Sequence, residues 1–103
     1  MEIMINQAIT AHQEGRLKEA EQLYRSILEN QPTNLIVRNN LGVLQFNLGR
    51  PDEAEASYRK VIELKPDYVE AHYNLGNTIQ ILGRYDEAEA SYRKVIELKP
   101  DYV

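Results

Sequence analysis

An all-α fold, built by stacking one small helical unit three times, is what this chain predicts, and three observations carry the prediction. Residues 52–69, DEAEASYRKVIELKPDYV, recur letter for letter as residues 86–103, a shift of 34 positions. The same step extends backwards to Gly15, Gly49 and Gly83 and to Arg16, Arg50 and Arg84, and Pro66 and Pro100 inside the copy are matched by Pro32 in the first unit. Between these markers the apolar residues fall on one helical face: Ala54, Tyr58, Val61 and Ile62, preceded by Ala20, Tyr24, Ile27 and Leu28 and followed by Ala88, Tyr92, Val95 and Ile96. The chain therefore divides into units 1–34, 35–68 and 69–102 of a single array.

Each unit reads as two helices and two turns. A first helix runs up to the Gly-Arg pair, because glycine tolerates the left-handed conformation that ends a helix. The second helix opens on Lys18-Glu19, Asp52-Glu53 or Asp86-Glu87, acids placed where the helix dipole is positive. Pro51 sits at such a start, where its fixed φ and missing N–H cost little. Proline at the end of the unit then blocks continuation. The expected helices are 2–14, 18–30, 34–48, 52–64, 68–82 and 86–98. Gly42 and Gly76 fall inside first helices, where glycine costs roughly 1 kcal/mol against alanine. A repeated cost implies close helix approach, expected here against Ala54 and Ala88; the first unit has Ala8 at that place and a slightly looser hairpin. The pairs Glu21–Arg25, Glu55–Arg59 and Glu89–Arg93 read as a solvated outer face.

Composition removes several function classes. The net charge of −4 and pI near 5.2 argue against nucleic acid, which needs a basic footprint. There is no cysteine, hence no disulfide, thiolate nucleophile or sulfur metal site. No apolar run approaches the roughly 20 residues that span a bilayer, and the start MEIMINQAITAHQEG lacks the plan of a signal peptide. A cytoplasmic location is the default expectation. The two histidines, His12 and His72, lie far apart at different places in the unit, and no catalytic or phosphate-binding motif occurs. No catalytic residue, metal site or cofactor is expected.

Asn40-Leu41-Gly42, Gly49-Arg50, Glu53-Ala54, Tyr58 and Pro66, repeated as Asn74-Leu75-Gly76, Gly83-Arg84-Tyr85, Glu87-Ala88, Tyr92 and Pro100, resemble the tetratricopeptide repeat. The resemblance covers all three units, the first being the most diverged. It implies antiparallel helix pairs stacked in a right-handed superhelix, with first helices lining the concave face. Where the family often carries a large aromatic at the fourth position, this chain has Met4, Arg38 or His72.

By the family pattern, positions 2, 5, 6, 9, 12 and 13 of each unit point into the groove. They are Glu2, Ile5, Asn6, Ile9, His12 and Gln13, then Ile36, Asn39, Asn40, Val43, Phe46 and Asn47, then Glu70, Tyr73, Asn74, Asn77, Gln80 and Ile81. Asn6, Asn40 and Asn74 recur in step; an amide can donate to a peptide carbonyl and accept from an N–H, so such a ladder suits an extended peptide. It resembles the asparagine ladder in the repeats of O-linked N-acetylglucosamine transferases. The competing reading is that these asparagines bond within the scaffold. Ile5, Asn39, Tyr73 and Glu70 stand where family members that grip a C-terminal carboxylate carry Lys or Arg, which argues against that use.

The function expected is non-catalytic binding of a protein or peptide segment, without nucleic acid or membrane. The alternative is a structural fragment that assembles through its ends. The chain stops at Pro100-Asp101-Tyr102-Val103, letters that in the second unit lead straight into the next first helix. It is therefore expected to be a piece of a longer array or multidomain protein. Its C-terminal end, where Val95, Ile96 and Leu98 include residues that would otherwise cover the next helix, is expected to be able to join copies or swap hairpins.

Overall fold

A computed structural model describes residues 2–101 as six helices: α1 (Glu2–Gln13), α2 (Leu17–Asn30), α3 (Leu35–Asn47), α4 (Pro51–Leu64), α5 (Val69–Ile81) and α6 (Tyr85–Leu98). Every bound lies within one residue of expectation. The second helices start one residue earlier because Leu17, Pro51 and Tyr85 already take helical geometry, Pro51 at a position where no N–H is needed. The expected terminal residues Tyr102 and Val103 lie outside the described residues.

The turn inside each unit is the same backbone device. Gly15, Gly49 and Gly83 have φ of +80°, +76° and +80°. Arg16 N–H donates to Ala11 O, Arg50 N–H to Gln45 O and Arg84 N–H to Ile79 O, closing the paired hydrogen bonds of a glycine-terminated helix. Between units, Asn34 caps α3 by accepting from Val37 N–H at 3.0 Å. The fourth position of the second and third units serves the linker: Arg38 Nη2 donates to Pro32 O at 2.9 Å and His72 Nε2 to Pro66 O at 2.7 Å. The side chain from the next helix thus ties the linker carbonyl down.

Helices pack as α1 on α2, α3 on α4 and α5 on α6 within units, and as α2 on α3 and α4 on α5 between them. The first helices also touch, α1 with α3 and α3 with α5, whereas among the described residues no second helix approaches another second helix by its backbone. The stack therefore curves with the first helices inside, an α-solenoid of 36 × 24 × 22 Å. One core cluster joins Ala8, Ala11, Ala20, Tyr24 and Ile27 to Val37, Leu41 and Leu44 of the second unit. A second joins Ala54 and Tyr58 to Leu75, Ile79 and Ala88 of the third. Each cluster spans a unit boundary, so no unit completes its own core.

Three expectations need correction. Gly42 and Gly76 make room for tyrosine rings, not for Ala54 and Ala88: a Cβ on Gly42 would lie 2.5 Å from the Tyr58 ring, and one on Gly76 2.7 Å from Tyr92. The outer acids are not simply solvated. Glu21 accepts from Arg50 at 2.8 Å and Glu55 from Arg84 at 2.8 Å, partners 29 residues away in the next unit. Val95 is already buried inside its own unit, whereas Ile96 is exposed.

Candidate functional site

Along the concave layer, three residue columns repeat with the unit and decide what the groove presents. One is Ile9, Val43 and Asn77; the next is His12, Phe46 and Gln80; the third is Asn6, Asn40 and Asn74. At the first unit the groove is closed by hydrogen bonds. His12 Nδ1 lies 3.1 Å from Tyr24 Oη, and Asn47 Nδ2 lies 3.0 Å from His12 Nε2. With the Asn47 amide donating to Nε2, the imidazole carries its proton on Nδ1 and donates to the tyrosine. Burial lowers the His12 pKa, so the neutral ring is favoured. Burial also pushes the Tyr24 hydroxyl up to about 12.

Between α3 and α5 the groove opens into a depression of about 630 Å³. Val43, Phe46 and Tyr58 form its side toward the second unit, and Asn74, Thr78 and Ile81 the side toward the third, with Tyr85 at the rim. Phe46, Ile81 and Tyr85 are exposed there at 36%, 66% and 67%, a cluster of large apolar groups facing solvent together. Among the described residues no charged side chain lines it. An uncharged, half-apolar recess with a few amides suits an extended chain segment better than a charged ligand.

The structure brings Val43, Phe46, Asn74, Asn77, Gln80 and Ile81 of the expected residues to this depression. Asn6 instead borders a separate recess with Ile3, Gln7 and Thr10 at the first unit's outer end. Asn39 is largely buried and accepts from Asn74 Nδ2 at 3.4 Å, so one rung of the ladder bonds within the scaffold. Among the described residues the side chains of Asn6 and Asn40 make no hydrogen bond. Ile9 packs against the first core cluster, Asn47 is engaged with His12, and Tyr73 lies against Tyr92 with ring centres 6.1 Å apart. Tyr58, Thr78 and Tyr85 were missed as lining residues. Tyr85 could have been found where it replaces Pro51 just before the copied segment; Tyr58 could have been found from the apolar Phe46 standing in the column of His12 and Gln80.

Sequence profiles of the tetratricopeptide repeat match residues 1–67 and 39–103. No curated protein matches the chain significantly. Among solved structures, it is similar to the first TPR of Spaghetti (RPAP3) bound to the HSP90 peptide SRMEEVD, with TM-score 0.93 and 23% identity over 97% of this chain and 79% of that one. It is also similar to a MamA point mutant, with TM-score 0.87 and 31% identity over 95% of this chain and 72% of that one. In another MamA structure, at TM-score 0.84 and 31% identity, it covers 93% of itself and spans 52% of that chain.

Proposed function

The chain belongs to the tetratricopeptide repeat family, and from that premise we propose that it is a non-catalytic interaction module binding a peptide segment in the groove between α3 and α5. The observation that carries this reading is the recess itself, where Phe46, Ile81 and Tyr85 expose apolar surface around Asn74 with no charge among them. The peptide-bound relative supports the general mode. The chemistry of the ligand differs, because Ile5, Asn39, Tyr73 and Glu70 give an acidic tail no cation to pair with. Selection from a random linear peptide library displayed on phage, followed by mapping of amide chemical shifts, tests the proposal. Enriched peptides are expected to be uncharged with one large apolar residue, and to shift α3 and α5. Failure to enrich any peptide contradicts it.

A second reading has its own observation. Glu89 stands in the register of Glu21 and Glu55, yet its side chain is 64% exposed, and Ile96, about two turns further along α6, is 58% exposed where Ile62 is partly covered. Arg16 of a second copy, stacked as the next unit, would take the place that Arg50 and Arg84 hold. On this reading Glu89→Arg abolishes association at low salt and adding Arg16→Glu in the same chain restores it. Sedimentation showing monomer at high concentration for the unaltered chain counts against it.

A further inference from the structure

Tyr24, Tyr58 and Tyr92 are register equivalents, yet their hydroxyls fare differently. Tyr24 Oη is paired with His12, and Tyr92 Oη shares its proton between Asn77 Oδ1 at 2.5 Å and Gln80 Oε1 at 2.9 Å. In the middle unit the corresponding residues are Val43 and Phe46, which offer no acceptor. Among the described residues the Tyr58 hydroxyl makes no hydrogen bond, although the residue is only 2% exposed. The one sealed polar side-chain atom without a partner among those residues is Arg38 Nε, so Tyr58 Oη is not sealed. Its opening is the α3–α5 recess, of which Tyr58 forms part of the wall. Desolvation alone raises its pKa, so it is a neutral donor at all ordinary pH.

A hydroxyl that opens on a recess is satisfied there by water or by a ligand, whereas its two register neighbours are satisfied within the fold. We propose that Tyr58 Oη is the recognition anchor of the recess, donating to a backbone carbonyl of an uncharged, extended peptide whose apolar side chain rests between Phe46 and Ile81. The opposite wall completes the match. Asn74 spends its NH₂ on Asn39, which leaves Oδ1 as an acceptor for a peptide N–H. One donor and one acceptor across a groove fit the alternating C=O and N–H of a peptide main chain, whereas a carboxylate would find no cation and a free hydrocarbon would leave both unpaired. Phe46 thus acts twice, by supplying apolar surface and by withholding the acceptor that would occupy Tyr58.

This inference rests on the groove-binding reading, and its test separates the two. The probe is the peptide enriched from the phage-displayed library, titrated calorimetrically against four proteins. Tyr58→Phe keeps the ring over Gly42 and is expected to bind about tenfold more weakly with unchanged melting, the scale of one hydrogen bond left unmade. Tyr92→Phe, whose hydroxyl is satisfied internally, is expected to bind like the unaltered chain. Phe46→Gln gives Tyr58 the partner that Gln80 gives Tyr92 and is expected to weaken binding while the protein stays folded. Equal affinity for Tyr58→Phe overturns the anchor and leaves groove binding standing. An enriched peptide that shifts no amide of α3 or α5, or no enrichment at all, overturns both.

Discussion

At position 42 the chain leaves out a methyl group because the Tyr58 ring occupies its space: a Cβ there would meet ring atoms at 2.5 to 2.9 Å. Glycine in a helix interior is visible in the sequence as a cost, and the cost rightly implies a close approach. Which residue approaches is not visible, since the rotation of α4 against α3 decides whether Ala54 or Tyr58 points there. The first unit shows how narrow the margin is, because Ala8 is accommodated beside Tyr24 and both are fully buried. Gly42→Ala therefore gains helix propensity of roughly 1 kcal/mol against the ring's displacement. A branched side chain has no such escape. Gly42→Val is expected to destabilise by about 1–3 kcal/mol, measured by chemical denaturation. Stability equal to the unaltered chain would mean that the ring is loosely held.

At the scale of helices, packing holds the inside of the curve and ion pairs hold the outside. The second helices stand too far apart for backbone contact, and Glu21–Arg50, Arg25–Glu53, Glu55–Arg84 and Arg59–Glu87 reach across. The acids at the centre of these networks are well covered, with side chains 18% and 15% exposed for Glu21 and Glu55. Helical spacing reveals the pairs within one helix but not those between units, because a partner 29 residues on becomes a neighbour only once the units stack. Hydrogen bonds from Arg50 and Arg84 hold the Glu21 and Glu55 carboxyls below the ordinary carboxylate range. A pKa depressed in the folded state gives stability that is complete above the unfolded value and lost as pH falls through the folded one. Melting temperature is therefore expected to drop on acidification below the usual carboxylate pKa, and Arg84→Ala to remove part of that drop while lowering stability at neutral pH. Arg93→Ala, whose pair with Glu89 is exposed, is expected to change little. Equal effects of the two substitutions would show that the inter-unit bridges add nothing.

Across the whole molecule, the copied segment and the proposed binding recess lie in different places. Residues 52–69 and, within their copy, 86–101 supply nearly all of α4 and α6 and the turns that follow them, the scaffold that sets the period. Periodic glycine, proline and small residues make the unit count, helix bounds and inner layer legible in the amino-acid order alone. The recess is legible only in part: Val43, Phe46, Asn74 and Ile81 follow from their unit positions, whereas Tyr58 and Tyr85 enter it from second helices. Their contribution depends on how far α5 stands from α3, a distance that no single helix encodes. The asparagine column divides for the same reason, Asn74 bonding to Asn39 while Ile5 offers Asn40 no such partner. We propose that this middle recess, and not the outer face or the ends, receives a peptide. Mapping amide shifts on isotope-labelled protein during titration with a phage-selected peptide tests it most directly. Shifts concentrated on Val43, Phe46, Asn74 and Ile81 are the predicted result; shifts confined to the outer faces of α2, α4 and α6 would contradict it.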